Sequence, residues 1–416
     1  MQTSVPKTLG STKDPAHLSL CQNCGDSNMS VFYEVKQVPV HSVLLMPTRE
    51  EALRYPKRDI ELGFCGHCGF ITNMAFDPGV HEYSSRYEET QGFSGTFNAF
   101  HSGLAARLIE QYSLHNKDII EIGCGKGEFL TMLCEMGDNR GVGFDPAYVS
   151  ERNQSKAKNR ITFVQDFYSE KYSGYHGDFV CCKMTLEHIP NTADFVGTVR
   201  RSIGNRLNTI VFFQIPEVRR ILRERAFWDI YYEHCSYFSR GSLARLFRKC
   251  GFDVLKLWTD YDDQYLMIEA KPGTSTDGVV LPEENDIEEL KNEVNSFSRD
   301  LEGIVIQWKT KLRESKGHGR RVVLWGGGSK GVAFLTKLNV QNEIEYAVDI
   351  NPYKQGTFMA GTGQQIVLPE FLQTYKPDLV IVMNPIYCNE LQQELTRLNI
   401  SAELLPIHPQ YAGTGR

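Results

Sequence analysis

Four of the eleven cysteines stand in two Cys-x-x-Cys pairs, a spacing that can hold a tetrahedral metal ion. The first pair is Cys21 and Cys24, and the second is Cys65 and Cys68. Two tight turns with two thiolates each supply the four sulfur ligands that zinc prefers. The pairs therefore predict a closed, structural zinc site without an open position for a substrate. Paired buried or redox-active thiols are the alternative.

A glycine-rich stretch, Glu121-Ile122-Gly123-Cys124-Gly125-Lys126-Gly127, lies between a short apolar run and a helical pattern. Glycine lets the backbone approach a bound molecule where a Cβ atom would collide with it. Asp145, at the end of the next predicted strand, is placed to accept hydrogen bonds from ribose hydroxyls. Asp166, after the third strand, is placed to meet an adenine amino group. These residues predict a site for an adenosine-containing cofactor, and NAD is one alternative.

Titratable side chains cluster in two later segments, one around His188 after the fourth predicted strand and one around His234 after the fifth. In an open α/β sheet, the ligand crevice lies at the carboxyl ends of the strands. Removing a proton from carbon requires a base and groups that stabilise the enolate. Either histidine is a candidate base, while Tyr231 and the other histidine are candidates for enolate stabilisation. Glu233 is placed to orient an imidazole or to bind a sugar hydroxyl. Taken singly, each histidine is more simply a structural residue.

The elements that must position these residues alternate between strands and helices, as in a doubly wound sheet. Five short apolar runs are predicted strands: Asp118–Ile122, Gly141–Phe144, Ile161–Val164, Asp178–Lys183 and Asn208–Gln214. Two more strand-like runs flank an acidic turn and predict an antiparallel hairpin at the sheet edge: Phe252–Trp258 and Tyr265–Ala270.

The last third of the chain begins with a charged helical pattern over Pro282–Ser315, which predicts a connecting helix. A second strand–loop–helix signal follows over Arg321–Leu338, with strand-like runs at Glu345–Asp349 and Asp378–Met383. The glycine spacing in Gly326–Gly331 would by itself predict a dinucleotide site. A loop that binds no ligand is the alternative.

Length and composition indicate a globular protein of two or three domains, since 416 residues exceed one ordinary core. We expect a zinc-binding domain at 1–85, a central domain at 86–275 and a third domain at 276–416. No apolar run approaches the roughly 20 residues that a membrane span needs, so no membrane partner is expected. The net charge of −6 argues against a general nucleic-acid binder. The first fifteen residues do not read as a secretory signal, which predicts a cytoplasmic protein.

The order of the loop and the two acids resembles the Rossmann-like methyltransferase superfamily. In that superfamily an E-x-G-x-G-x-G loop binds the methionine and ribose parts of S-adenosylmethionine. The resemblance implies a set of cofactor-binding residues: Glu121, Gly123, Gly125, Gly127, Asp145 and Asp166. Glu121 and the terminal hairpin favour methyl transfer over NAD binding. The expected fold class is α/β: a Rossmann-like class I methyltransferase core, a small N-terminal zinc-binding domain and a C-terminal Rossmann-like α/β domain.

A narrower resemblance covers nearly all of the chain, to the sugar C-methyltransferases of deoxysugar biosynthesis. Their Ile-Tyr-x-Glu-His segment is similar to Ile230–His234, and their His-Ile-Pro is matched by His188-Ile189-Pro190. A tyrosine ahead of their methyltransferase domain looks like Tyr87. The resemblance implies a nucleotide-linked 4-keto sugar as substrate, methylated at C3 with His234 as the general base. It also implies four residues that arrange the sugar and its enolate: Tyr87, His188, Tyr231 and Glu233.

In the same family the third domain helps to enclose the nucleotide-sugar, which implies a diphosphate or nucleotide contact for Gly326–Gly331. The chain departs from the family in its roughly 20-residue tail, and it carries Tyr232 and Glu187 at variable positions. These departures leave the choice of substrate open. Methylation of an oxygen or nitrogen of another small metabolite is an alternative, as is a non-catalytic, zinc-organised nucleotide-binding protein. The sequence does not predict an oligomeric state.

Overall fold

The computed structural model describes residues 20–80, 84, 86–273 and 279–408, and the N-terminal tail lies outside them. Within these ranges the chain forms three β-sheets. None of the described helices combines the length and apolarity that crossing a bilayer requires. The three sheets correspond in order to the cysteine-rich region, the central region and the last third of the sequence.

The first sheet is antiparallel and is built around three strands from the cysteine-rich region: β1 (Met29–Pro39), β2 (Lys57–Cys65) and β3 (Ile71–Asn73). A short helix, α1 (Arg49–Arg54), lies between the first two strands and begins at Thr48, whose side chain accepts from the Glu51 N–H. The fourth strand, Ser236–Tyr237, comes from much later in the chain and pairs with β3. The cysteine-rich module is therefore joined by backbone hydrogen bonds to the segment that follows His234.

The central sheet has seven strands, and it confirms the predicted Rossmann-like class I methyltransferase fold with its edge hairpin. Its strand order is β10-β11-β8-β7-β4-β5-β6, in which β11 runs antiparallel to both neighbours and the other pairs are parallel. With the short strand of the first sheet counted as β9, the strands are β4 (Asp118–Ile122), β5 (Arg140–Phe144), β6 (Ile161–Val164), β7 (Phe179–Lys183), β8 (Ile210–Pro216), β9 (Ser236–Tyr237), β10 (Phe252–Asp260) and β11 (Tyr265–Pro272).

Helices cover both faces of the central sheet, so its middle strands are buried on both sides. All five residues of β7 are buried, which explains why that strand reads as an unbroken apolar run rather than an alternating one. The helices of this region are α2 (Gly95–Tyr112), α3 (Glu128–Gly137), α4 (Thr192–Ile203), α5 (Val218–Glu224) and α6 (Arg240–Lys249).

The predicted connecting helix is α7 (Ile287–Gly317), a 31-residue helix about 46 Å long. Its apolar residues, spaced by three or four, are buried on one face as expected: Leu290, Val294, Phe297, Leu301, Val305, Trp308 and Leu312. Phe297 packs edge-on against Tyr33 of β1, with ring centroids 5.4 Å apart. One continuous apolar core therefore runs from the first sheet through α7 into the last one.

The third sheet is parallel, with strand order β14-β13-β12-β15-β16. Its strands are β12 (Val322–Trp325), β13 (Tyr346–Val348), β14 (Gln365–Val367), β15 (Leu379–Val382) and β16 (Glu403–Pro406). Its helices are α8 (Ser329–Leu338), α9 (Leu372–Tyr375) and α10 (Cys388–Arg397). Three of the strands were predicted, whereas β14 and β16 are only three and four residues long and carry too little periodicity to be recognised.

Candidate active site

A cavity of about 790 Å³ lies at the carboxyl ends of the parallel strands of the central sheet, facing the third sheet. It is large enough for two ligands of metabolite size. Most of the predicted site residues line it: Tyr87, Glu121, Gly123, Gly125, Asp145, Asp166, His188, Tyr231, His234, Gly326, Gly328, Ser329 and Lys330. Gly127 and Glu233 are not among the lining residues. The tertiary structure thus places the predicted cofactor-binding residues and the predicted catalytic residues around one cavity.

The glycines of the first loop all have positive φ, at +70° for Gly123, +53° for Gly125 and +82° for Gly127. A Cβ atom on Gly123 would lie 2.0 Å from the Thr185 hydroxyl, and one on Gly127 would lie 2.5 Å from the ring of Phe163. These two positions require glycine for the protein's own packing as well as for any ligand. Gly127 caps α3 beneath Phe163 and is not among the residues that line the cavity.

Asp145 holds the loop from the end of β5. Its carboxylate accepts the Gly125 N–H at 2.9 Å and the Ala147 N–H at 2.7 Å. Burial raises the pKa of Asp145, although the two N–H donors oppose that shift. The buried Lys126 ammonium completes the arrangement by donating to the carbonyl oxygens of Tyr87 and Ala147. The loop is thus preformed around the acid that was predicted to bind ribose.

The two remaining predicted cofactor acids differ in their surroundings. Glu121 is almost fully buried, and its carboxylate accepts the Leu130 N–H at 2.9 Å, so that it supports the first turns of α3. Burial raises the pKa of Glu121 to about 8. Asp166 is more exposed and binds Lys171 and the hydroxyl of Tyr172. Lys171 lowers the pKa of Asp166 to about 2, which keeps it ionised at the cavity wall.

His234 lies buried at the other end of the cavity. Its Nε2 atom is 2.8 Å from the Tyr231 hydroxyl, and the ring of His188 stands edge-on to it at a centroid distance of 4.9 Å. Burial lowers the pKa of His234 well below its ordinary value and that of His188 to about 4. Both imidazoles are therefore neutral near pH 7, and a neutral imidazole has a lone pair that can accept a proton.

Glu233 requires a correction, because its carboxylate does not face the cavity. Its two oxygens bind the N-terminal module: Oε1 lies 3.3 Å from Nδ1 of His41, and Oε2 accepts both the N–H and the hydroxyl of Ser42. Burial opposes ionisation, but His41 and Ser42 hold the pKa of Glu233 below its ordinary value. Of the two predicted roles, orienting an imidazole fits this geometry and binding a sugar hydroxyl does not.

The His234 segment is clamped between two other elements. The Cys235 N–H donates to the carbonyl oxygen of Glu187 at 2.9 Å. The Cys235 carbonyl accepts the Thr72 hydroxyl at 2.7 Å and the Asn73 N–H at 2.9 Å. Because Thr72 and Asn73 belong to β3, the position of His234 depends on the sheet of the cysteine-rich module. Tyr87 lines the cavity from the same side, and its ring lies edge-on to His41.

The four predicted metal-ligating thiols converge. The sulfur atoms of Cys21 and Cys68 are 3.6 Å apart, those of Cys24 and Cys65 are 3.7 Å apart, and all four lie within 4.8 Å of one another. Tetrahedral ligands at a zinc–sulfur distance of about 2.3 Å would be separated by roughly 3.8 Å. The thiols therefore have the spacing of a four-sulfur zinc site.

A glycine after each Cys-x-x-Cys pair closes the turn. Gly25 and Gly69 have φ values of +85° and +75°, and their N–H groups donate to the carbonyls of Cys21 and Cys65. The full motif is thus Cys-x-x-Cys-Gly, and it occurs twice. Arg245 on α6 donates to the carbonyl of Cys68 at 3.0 Å, which fastens the module to the central domain.

The second glycine loop lines the cavity from the third sheet. The Gly327 N–H donates to Asp349 at 3.0 Å, which repeats the Gly125–Asp145 bond, but Asp349 also pairs with Lys354 at 3.1 Å. Lys330, at the start of α8, reaches across to Asp229 of the central domain. Two ammonium groups, each paired with a carboxylate, therefore border this loop.

Comparison with known proteins agrees with this architecture. A family model described as a methyltransferase domain matches residues 97–257, and one described as a C-methyltransferase C-terminal domain matches residues 273–402. The C-methyltransferase NovU of Streptomyces niveus is 25% identical over 80% of this chain and 81% of its own length. The chain is an S-adenosylmethionine-dependent methyltransferase. The second model and this relative further identify it as a C-methyltransferase.

Other similarities cover less than half of this chain. A ubiquinone biosynthesis O-methyltransferase of Hydrogenovibrio crunogenus is 28% identical over 26% of this chain and 49% of its own length. The solved magnesium protoporphyrin IX methyltransferase of Synechocystis PCC 6803 with bound S-adenosylhomocysteine is 15% identical. It covers 43% of this chain and 84% of its own, with a TM-score of 0.35.

Two carboxylates at the methyltransferase cavity were missed as site residues, Glu89 and Glu187. Glu89 lines the cavity beside Gly125, its Oε2 has no hydrogen-bond partner in the described part of the chain, and burial raises its pKa to about 7. The same Oε2 atom lies 3.9 Å from the Lys126 ammonium, so Glu89 is a partly exposed acid with one cation nearby. Glu187 could have been found from its position directly before His188. The family resemblance marks that position only as variable.

Replacing Asp145 by asparagine is expected to raise the Kd of the methyltransferase for S-adenosylmethionine about 10- to 100-fold. The change removes a charged acceptor and sets an amide NH2 group against one of two backbone N–H donors. Isothermal titration calorimetry measures the effect. Asp138→Asn is the matched control, since Asp138 is exposed at the end of α3 with φ of +52°. Equal affinities for the two variants would contradict the assignment.

Proposed function

We propose that this C-methyltransferase acts at C3 of a nucleotide-linked 4-keto deoxysugar, by forming an enolate and then methylating its carbon. One observation carries the proposal: a neutral, buried His234, bonded to Tyr231 and beside His188, lines the same cavity as the Asp145 loop. A base of this kind is needed to activate carbon, whereas an oxygen or nitrogen acceptor already carries a lone pair.

The cofactor half of the cavity fits S-adenosylmethionine. Gly123 and Gly125 would leave room for the cofactor at the backbone, Asp145 would hold its ribose, and Asp166 would hold its adenine. Glu89 Oε2, which has no hydrogen-bond partner among the described residues and lies 3.9 Å from Lys126, would receive the ammonium group. When bound, the cofactor supplies an electrophilic methyl group on sulfur. The residues of this half hold and orient it, and they take no part in proton transfer.

At the other end, His234 accepts the proton from C3 of the sugar. The electron pair of that C–H bond forms a C3=C4 double bond, and the carbonyl electrons move to the oxygen on C4. The hydroxyl of Tyr231 lies 2.8 Å from the imidazole of His234 and holds it in place. Burial raises the pKa of Tyr231 well above its ordinary value, so the phenol stays protonated. The carbon of the enolate is then the nucleophile for methylation. His188 and Tyr87 border the sugar.

The nucleotide part of the substrate would extend toward the third domain. Lys330 and Arg220 line the cavity and share the carboxylate of Asp229. Arg220 also pairs with Glu224 at 3.0 Å, so two carboxylates balance the two cations. A diphosphate would bind here by taking over N–H donors of Lys330 and Arg220 beside the Gly326–Gly331 loop.

We further propose that the four-thiol cluster holds a structural zinc ion. The cysteine spacing and sulfur separations support it, and the cluster lies apart from the cavity-lining residues. The ion would order the first sheet and, through β3 and β9, the His234 segment.

The test is incubation with S-adenosylmethionine and a panel of nucleotide-linked 4-keto-6-deoxyhexoses that differ at C2 and C3. Mass spectrometry should show the gain of one methyl group, and the product should carry it on the carbon beside the ketone. Without methyl donor, the same sugar should exchange its C3 hydrogen for solvent deuterium. Methylation at oxygen or nitrogen without this exchange would contradict the proposal, as would a failure to methylate every sugar in the panel.

A further inference from the structure

Glu187 is the most unusual carboxyl group at the cavity, because it is buried without a partner. Its side chain is 1% exposed, it lines the cavity, and neither carboxyl oxygen has a hydrogen-bond partner among the described residues. Its Oε1 atom lies 4.0 Å from Nε2 of His234, outside hydrogen-bond distance. An unpaired polar group at such depth is costly unless a ligand completes its bonding.

The groups that face Glu187 do not favour its ionised form. Burial raises the pKa of Glu187 to about 8; its own backbone N–H opposes that shift, and no cation contributes to it. The titratable groups near it are neutral imidazoles, protonated phenols and thiols whose pKa values are raised by burial: His188, His234, Tyr231, Tyr265, Cys182 and Cys235. At pH 7 the side chain is mostly a carboxylic acid, which can donate one hydrogen bond.

We propose that Glu187 acts as a neutral acid that donates a hydrogen bond to the keto oxygen of the acceptor and to the enolate oxygen formed from it. The inference rests on the proposed function and adds a catalytic residue to it. The C3 proton goes to His234, the C–H electrons form the C3=C4 bond, and the negative charge develops on the C4 oxygen. Glu187 keeps its proton throughout, and its bond strengthens as that charge grows. When the new C–C bond forms, the carbonyl returns.

The decisive comparison is between Glu187→Gln and Glu187→Ala, assayed with the panel sugar that is methylated. Glutamine keeps an N–H donor of nearly the same shape, so kcat should stay within about tenfold of the parent. Alanine removes the donor and should lower kcat about 10²- to 10³-fold. Equal losses in both variants would overturn the proposal, and they are the result expected if Glu187, His188 and His234 instead bound a divalent metal ion.

The pH profile supplies a readout that a purely structural role would not move. In the parent enzyme, kcat should fall as the pH rises through about 8, because Glu187 loses its proton and its ability to donate. Glutamine cannot ionise, so this alkaline decline should be absent from Glu187→Gln. Glu217→Gln is the matched control, since burial raises the pKa of Glu217 to about 7 but that residue caps α5 away from the cavity lining. A retained decline in Glu187→Gln would overturn the proposal.

An infrared measurement tests Glu187 without any substrate. The difference spectrum between the parent and Glu187→Gln should contain the carbonyl band of a protonated carboxylic acid at pH 7, and the band should vanish above pH 9. Absence of the band would refute the neutral acid even in an enzyme that methylates the sugar. A band in an enzyme that methylates no panel sugar would instead refute the proposed acceptor. If Glu187→Ala fails to fold, the glutamine variant's pH profile and spectrum still decide the matter.

Discussion

Replacing His234 by glutamine is expected to lower kcat about 10³-fold. Glutamine fills a similar volume but its amide has no basic lone pair, so the C3 proton would have no acceptor. A positioned general base contributes typically 10²- to 10⁴-fold. Deuterium exchange at C3 should fall by the same factor when methyl donor is absent, since both reactions pass through the same proton removal. The measurement is steady-state methylation beside exchange followed by mass spectrometry.

A control separates lost chemistry from lost structure. His318→Gln makes the same change at an exposed residue just after α7, and it should leave both rates unchanged. The Kd for S-adenosylmethionine should be unaltered in His234→Gln, because the glycine loop is built from other elements. Normal turnover in His234→Gln would refute the assignment of the base. If His234→Gln lost methylation but kept normal deuterium exchange, His234 would act in a step after proton removal.

Loss of zinc is expected to have the largest effect on stability. In the double variant Cys65→Ser, Cys68→Ser, one complete pair of ligands is removed, and structural zinc sites contribute roughly 10 kcal/mol or more of binding free energy to folding. We expect the purified protein to contain no zinc and the first sheet to unfold well below the remainder of the chain. Metal analysis and thermal unfolding followed by circular dichroism measure these results.

Activity should fall in the same double variant, although no cysteine of the cluster touches the cavity. The β3 residues Thr72 and Asn73 hold the carbonyl of Cys235, so unfolding of the first sheet frees the His234 segment. Methylation should therefore drop by more than tenfold while S-adenosylmethionine still binds. Cys388→Ser, at the start of α10, is the control for a thiol that lies outside the cluster. A zinc-free double variant with parental stability and turnover would rule out this coupling.

The sequence predicted the parts of this protein whose signals lie in neighbouring residues. The glycine loop, the strand that precedes it and the helix that follows are read from thirteen consecutive positions. The edge hairpin and α7 are likewise visible, because a strand or helix repeats its apolar residues at a fixed period. The two short strands β14 and β16 were not predicted, since three or four residues hold at most two periods of the strand pattern.

The end of the cavity that holds His234 could be predicted only in part. His188 and His234 were found from their motifs, and the structure brings them into contact. Glu233 was found from the same motif, but its contact with Ser42 could not be predicted, since Ser42 lies 191 residues away. Glu187 stands next to a recognised histidine, yet its chemistry depends on the absence of a partner, which no local pattern records.

By itself, the sequence determined the fold class, the glycine loop with Asp145, the two cysteine pairs and the choice of His188 and His234 as candidate site residues. Each of these depends on residue types at short spacing, where backbone geometry limits the outcome. Only the tertiary structure decided that β9 completes the sheet of the cysteine-rich module, that Glu233 orients His41, and that Glu187 remains unpaired at the cavity. Those properties arise from contacts between distant segments and from burial, which removes water as the alternative partner for each polar group.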